Sequence, residues 1–185
     1  MRYSTNADHS SGFEPSAKDE GATIKELQAL RNLPMSDRGR AASWAIRILE
    51  KTKSHRIRNY AASALADLRA RNATNAMINL LAQPDKKGSR GALLLAIRRL
   101  EGQVPLSILV DIIVDGADEG KEEALDLIDR RSYRECSPAE FAESCSKIQT
   151  ALVSTHGERL RLLRRASEYL RTRHQSGFTP YSRDG

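Results

Sequence analysis

The sequence predicts an all-α fold, built as a short solenoid of stacked helical hairpins. Three observations support this prediction: apolar residues recur at helical spacing, strand patterns are nearly absent, and the helical segments repeat along the chain. Ile57, Ala61, Ala64, Leu65 and Leu68, for example, follow one another at intervals that place them on one face of a helix. No sustained alternation of β-branched and polar residues, which would indicate half-buried strands, is present.

The repeat is visible when the chain is shifted against itself by 32 residues. Arg58 then falls on Arg90, and Leu65 falls on Ile97. The helices that precede these segments obey the same shift, so we expect three helical hairpins, at residues 40–69, 72–101 and 104–132. Small residues such as Ala61 and Ala64 would allow the close helix approach that stacked hairpins require.

The repeated pattern resembles HEAT repeats of the short bacterial type. It consists of an apolar helix, a polar turn, and a second helix that opens on an Arg followed by an Ala-Leu-rich run. The residues that match are Ile57, Arg58, Ala61, Ala62, Ala64 and Leu65 in the first repeat, and Asp85, Arg90, Ala92, Leu94, Ala96 and Ile97 in the second. The resemblance implies a right-handed α-solenoid, and HEAT repeats as a class are interaction scaffolds. The third repeat departs from the pattern, because Glu122 and Glu123 stand where the Arg and the small residue are expected.

The segments outside the repeats are predicted to be caps and tails. Residues 22–33 form an amphipathic capping helix that ends before Pro34. Ser137 and Glu140 make a capping box with Pro138 at the first helical position, which starts a helix over 138–153. A last helix covers 158–174, so 22–174 is a single domain between flexible tails at 1–21 and 175–185.

The net charge of +6 is unevenly distributed along the chain. Residues 36–103 carry 14 basic and 5 acidic side chains, whereas residues 104–145 carry 4 basic and 11 acidic ones. Residues 146–185 are basic again. Such runs are often no more than solvated helix faces, but stacked repeats also align equivalent positions on one surface.

Two charged surfaces are therefore the candidate binding sites for a partner. The predicted basic strip belongs to the first two repeats and consists of Arg38, Arg40, Arg47, Lys51, Lys53, Arg56, Lys86, Lys87, Arg98 and Arg99. The predicted acidic patch belongs to the third repeat and consists of Asp115, Asp118, Glu119, Glu122, Glu123 and Asp126. Arg58 and Arg90 are repeat equivalents. The resemblance to HEAT repeats implies that they bridge neighbouring repeats more often than they touch a ligand.

The predicted function is that of a non-catalytic scaffold or adaptor that binds another protein. The alternative is a nucleic-acid-binding HEAT-like protein that places the basic strip on the phosphate backbone, as HEAT-like DNA alkylpurine glycosylases do. An enzyme or enzyme accessory of the HEAT-like lyase type is a third possibility, although no residue pattern calls for a catalytic site, a cofactor or a metal. Self-association is also compatible with basic and acidic repeats that could meet head to tail.

The sequence further favours a cytoplasmic protein without a membrane segment. No apolar run approaches the roughly 20 residues of a membrane span. Cys136 and Cys145, with no second pair of cysteines, fit a reducing compartment. The N-terminal tail could nevertheless act as a secretion or docking signal.

Overall fold

The computed structural model describes residues 17–115, 120–130 and 136–175, and these residues are mostly helical, with no strand among them. This confirms the all-α prediction. The helices are α1 (Ala17–Ala29), α2 (Met35–Lys51), α3 (His55–Asp67), α4 (Thr74–Leu81), α5 (Arg90–Arg99), α6 (Leu106–Val114), α7 (Lys121–Arg130), α8 (Pro138–Ser154) and α9 (Gly157–Gln175). Short 3₁₀ turns precede α2, α4 and α5.

Helix boundaries follow local capping chemistry. α1 begins at Ala17, inside the segment predicted as a tail, while residues 1–16 and 176–185 of the two predicted tails lie outside the described residues. α2 begins directly after Pro34, whose extended ψ of 156° ends the preceding turn. α8 begins at Pro138 as predicted, with the Ser137 hydroxyl accepting from the backbone N–H of Glu140 at 3.1 Å.

The helices pack in two series. The odd-numbered helices contact one another in chain order, from α1 through α3, α5 and α7 to α9. In the other series α2 contacts α4, and α6 contacts α8. Each consecutive pair, α2–α3, α4–α5, α6–α7 and α8–α9, also packs together. One cluster of buried apolar residues runs between the two series, from Ile24 on α1 to Leu170 on α9.

The 32-residue repeat reappears in the backbone where α3 and α5 end. Arg69 and Glu101 follow these two helices and have positive φ angles of 56° and 57°. Ala70 N–H donates to the Leu65 carbonyl at 3.0 Å, and Gly102 N–H donates to the Ile97 carbonyl at 2.9 Å. Both helices therefore end in the same left-handed cap, the Schellman motif, at equivalent positions.

Small side chains let α3 occupy the middle of the molecule. Ala61 and Ala62 are fully buried, and Ala64 is almost so, where α3 packs on α1, α2 and α5. A larger residue at these positions would overpack the contact.

Of the helices described, none combines the length and the apolar character that crossing a bilayer requires.

Candidate partner-binding surface

Two buried arginines connect consecutive helix pairs. Arg58, in the first turn of α3, is fully buried and donates to the Thr52 carbonyl and, at 3.3 Å, to the Ser89 hydroxyl that precedes α5. Burial lowers the pKa of the Arg58 guanidinium, and the nearby carboxylate of Asp85 partly opposes this. No described carboxylate lies within ion-pair distance of Arg58. Its guanidinium contacts the Thr52 carbonyl, the Ser89 hydroxyl and the His55 ring, while its buried Nε–H has no hydrogen-bond partner among the described residues.

Arg90 repeats this arrangement one helix pair further along. Its side chain is 6% exposed and lies 2.8 Å from the carboxylate of Asp115 at the end of α6. Asp115 also accepts from Lys87 at 2.7 Å. Hydrogen bonds from Lys87 and Arg90 hold the pKa of Asp115 below its usual range. Arg58 and Arg90 therefore bridge neighbouring helix pairs, which is the role that the resemblance to HEAT repeats implies for them.

The third helix pair departs from this arrangement, as the sequence does. Glu122 occupies the position equivalent to Arg58 and Arg90, and its side chain is 65% exposed. Lys121, one residue earlier, is buried instead. A cation is thus buried at the start of α3, α5 and α7, but it shifts by one residue on α7.

Three residues of the predicted basic strip form ion pairs with aspartates of the same chain. Lys87 pairs with Asp115, Arg98 on α5 pairs with Asp126 on α7 at 2.6 Å, and Arg99 pairs with Asp67 on α3. We call Lys87, Arg98 and Arg99 the inner basic set. Their charges join successive helix pairs and are locally neutralised.

Of the seven remaining strip residues, two contact nearby groups of the chain and five are exposed. Arg38 is half-buried and donates to the Leu33 carbonyl, and Lys86 pairs with its chain neighbour Asp85. The other five are exposed around α2 and the α2–α3 turn. We call these residues the outer basic set: Arg40, Arg47, Lys51, Lys53 and Arg56.

The outer basic set is organised by the geometry of α2. Arg40, Trp44, Arg47 and Lys51 are separated by four, three and four residues, so they lie on one face of the helix. Trp44 is half-buried and packs on the core, while its neighbours extend into solvent. Arg47, Lys51 and Arg56 form no ion pair with any described residue. This face can offer unneutralised cations beside an aromatic ring.

The acidic patch is also largely engaged within the molecule. Asp126 accepts from Arg98 and, at 2.7 Å, from Arg130. Burial alone would raise the pKa of Asp126, but the hydrogen bonds from Arg130 and Arg98 outweigh it and lower the pKa. Glu122 lies 3.4 Å from Arg165 on α9. Asp118 and Glu119 lie outside the described residues.

These acidic residues border a polar groove between α5, α7 and α9. Its volume is about 330 Å³. The side chains that line it are those of Arg98, Glu122, Glu123, Asp126, Asp129, Arg165 and Tyr169. Its walls carry four acidic and two basic side chains, so the groove combines both signs of charge with an excess of acidic groups.

Several residues that complete this network were not singled out from the sequence as its members. Arg165 and Arg130 neutralise acidic-patch residues, Lys147 on α8 pairs with Asp111 on α6 at 3.0 Å, and Arg159 donates to the Val114 carbonyl. The repeat gives a signal for one of these contacts, because Lys147 and Asp111 lie 36 positions apart. The contacts of Arg165, Arg159 and Arg130 span 43, 45 and 4 positions and do not follow the repeat length.

The described residues contain no group of three or more His, Cys, Asp or Glu side chains that could hold a metal ion. Cys136 is buried, with its thiol 3.4 Å from a carboxylate oxygen of Glu140. Burial raises the pKa of the Cys145 thiol, which makes it a weak nucleophile at neutral pH. The candidate functional residues among those described are therefore the charged side chains at the surface.

In comparisons with known proteins, no family profile, no curated protein and no solved structure matches this chain.

Proposed function

We propose that this chain is a non-catalytic scaffold of the HEAT-like type, a short right-handed α-solenoid that binds an acidic surface of a partner protein through its outer basic set. The observation that supports this most is the division of the basic residues. The inner set is neutralised between helix pairs, whereas Arg47, Lys51 and Arg56 have no ion-pair partner among the described residues.

The solenoid part of the proposal is supported by how the pairs pack. α3, α5, α7 and α9 contact one another in sequence, and each also packs on the helix that precedes it. The identical caps after α3 and α5 add a repeated backbone element. A stack of pairs that each contact only their neighbours is the architecture of repeat proteins.

A protein partner is favoured over nucleic acid by the number of cations that remain available. A phosphate backbone is bound by many Lys and Arg contacts spread along one surface. Here Lys87, Arg98 and Arg99 already pair with aspartates, which breaks the predicted strip and leaves a compact group near α2. A compact basic group beside Trp44 is better matched to a local acidic site on a protein, where it would steer association and fix orientation.

The two cysteines bear on the compartment in which this scaffold would act. Both are free thiols, although Cys136 is buried and Cys145 is half-buried. This is the usual state in a reducing compartment. It supports the cytoplasm as the proposed location.

The test is a pull-down from lysate of the source cells, run with and without nuclease, with three forms of the full chain. These are the wild type, a variant with Arg47→Glu, Lys51→Glu and Arg56→Glu, and a control with Lys25→Glu, Arg69→Glu and Arg161→Glu. The control residues are exposed, form no described ion pair and are scattered over the molecule, so both variants change the net charge equally.

We expect a defined protein that the wild type and the control retain and that the outer-set variant loses. Bound nucleic acid, with an affinity that falls steeply as salt rises, would instead support the alternative function. Equal retention by both variants would reject the outer basic set as the binding surface.

A further inference from the structure

The last helix pair, α8–α9, leaves an apolar groove open to solvent. The groove has a volume of about 340 Å³. Its floor is formed by Phe141 and Ile148 on α8 and by Leu170 on α9, all of which are buried. Cys145 is half-buried in its wall.

The rim of this groove is basic on the α9 side. Leu160, Arg164, Ser167 and Arg171 are separated by four, three and four residues and therefore lie along one edge of the helix. Ser167 and Arg171 line the groove directly, and Arg164 stands one turn before Ser167. Arg164 and Arg171 are exposed, and neither forms an ion pair with a described residue.

The fold indicates what kind of segment would fit there. α7 is covered by α9, and α6 by α8, so each earlier pair has a following pair packed against it. Within the described ranges, no helix follows α9. The groove between α8 and α9 is therefore the place where a further helix would pack, and such grooves bind amphipathic helices through apolar side chains three and four residues apart.

We propose that this groove docks an acidic amphipathic helix of a partner protein. The helix inserts apolar side chains over Phe141, Ile148 and Leu170, and its Asp or Glu side chains pair with Arg164 and Arg171. The basic rim selects the charge of the occupant. Two copies of this groove placed face to face would bring four arginines together, which disfavours a second copy of the chain. This site is independent of the outer basic set, which lies on α2 and α3.

Cys145 provides a direct readout of occupancy. In the full chain with Cys136→Ser, it is the one remaining thiol, and its rate of reaction with a dithiobis-nitrobenzoate reagent in mildly alkaline buffer reports access to the groove. The probe is a synthetic helical peptide of about five turns, with Leu at helical spacing on one face and Glu on the other. A second peptide carries Lys in place of Glu.

We expect the Glu peptide to slow the labelling of Cys145 by about tenfold or more at saturation, and the Lys peptide to have little effect, since only the former complements the rim. Arg164→Glu with Arg171→Glu should abolish the protection, measured for each form of the protein as the ratio of its labelling rates without and with peptide, since the added carboxylates also slow the reaction of the free thiol with the anionic reagent. Arg47→Glu with Arg161→Glu, an equal change in net charge away from the groove, should retain it.

Four outcomes would overturn the proposal. The Glu peptide gives no protection, or both peptides protect equally. Alternatively, Cys145 becomes protected without peptide as the protein concentration rises, which would assign the groove to a second copy. Finally, Cys145 is already protected in the full chain and becomes reactive when residues 176–185 are removed, which would assign the groove to the chain's own terminus.

Discussion

At the scale of single residues, the charged side chains that join helix pairs are best represented by Arg90 and Asp115. Arg90 is almost fully buried, so its guanidinium has little access to water and depends on the Asp115 carboxylate for compensation. Lys87 adds a second hydrogen bond to the same carboxylate. This short network connects the turn before α5 with the end of α6, and removing its acid would leave a buried cation without an ionic partner.

Asp115→Asn should lower the free energy of unfolding by about 2 kcal/mol, because hydrogen bonds between charged groups contribute roughly 1.5–3 kcal/mol when they are not fully exposed. Urea unfolding at neutral pH measures this. Glu26→Gln is the control, because Glu26 is an exposed acid on α1 that forms no ion pair with a described residue, and it should change the unfolding free energy by much less. Equal effects of the two variants would show that the network does not stabilise the fold.

Acid should destabilise the protein through the same carboxylates. The pKa values of Asp115 and Asp126 are lowered in the folded state, so the unfolded chain binds protons more readily than the folded one. Their stabilisation is complete above the unfolded value of about 4 and is lost as the pH falls through the lower folded values. Urea midpoints measured from about pH 5 down to pH 2 should decline, and Asp115→Asn should decline less. An identical decline in the variant would contradict this.

Residue-level prediction from the sequence succeeded where the repeat was regular. Arg58 and Arg90 stand out as repeat equivalents, the resemblance to HEAT repeats implies a bridging role for them, and both link helix pairs. The burial of Lys121 in place of Glu122 was not predicted, since a one-residue shift at the start of α7 depends on packing that the pattern does not contain. Which cations of the basic strip would be neutralised also depended on tertiary contacts.

At the scale of helices, the two left-handed caps are the most regular feature of the molecule. Arg69 and Glu101 adopt a conformation that costs an L-residue roughly 1–2 kcal/mol and that glycine adopts freely. The chain retains them because the caps satisfy the last carbonyls of α3 and α5. Each cap sets the direction of the chain into the next pair.

Arg69→Gly should stabilise the protein by about 1 kcal/mol. The substitution removes the strain of the positive φ angle, and this gain exceeds the loss that comes from the greater conformational entropy of the unfolded chain. Arg69 is exposed, so little packing is lost. Arg69→Ala, which keeps the strained conformation, should not stabilise. Thermal or urea unfolding of the three forms distinguishes them, and a stabilising alanine would argue against strain at this cap.

Gly120 at the start of α7 should not tolerate a side chain. Its φ is +86°, and an added Cβ would lie 2.9 Å from the Cβ of Arg90 and 3.0 Å from the backbone nitrogen of Gly91. Gly120→Ala should therefore destabilise by about 2 kcal/mol or more. The control is Gly39→Ala on α2, where nothing lies within 4 Å and alanine should stabilise the helix by up to about 1 kcal/mol. Similar unfolding midpoints for both variants would refute this.

Helix boundaries were predictable where the sequence contains a capping motif, as at Ser137 and Pro138. They were less predictable where packing extends a helix. α1 begins at Ala17, earlier than its apolar spacing suggests, and Glu20 in its first turns accepts from the Ser54 hydroxyl at the start of α3. That contact joins residues 34 positions apart, so a local pattern does not reveal it.

At the scale of the whole molecule, two sets of basic residues have different roles in our account. The inner set, Lys87, Arg98 and Arg99, joins successive helix pairs through aspartates. The outer set faces solvent around α2, and its members Arg47, Lys51 and Arg56 form no ion pair with a described residue, so they are available to a partner. The sequence predicted all of these residues as one strip, because charge patterning along a chain does not reveal which charges meet across neighbouring repeats.

The most direct test of this division compares the unfolding free energies of two charge-reversal variants in urea. One changes Lys87, Arg98 and Arg99 to Glu, the other changes Arg47, Lys51 and Arg56 to Glu, and both alter the net charge equally. The inner variant should lose about 2–3 kcal/mol, because three surface ion pairs, whose basic side chains are 41%, 39% and 45% exposed, become repulsive. The outer variant should stay within about 0.5 kcal/mol of the wild type. Equal losses in the two variants, or a larger loss in the outer one, would contradict the account.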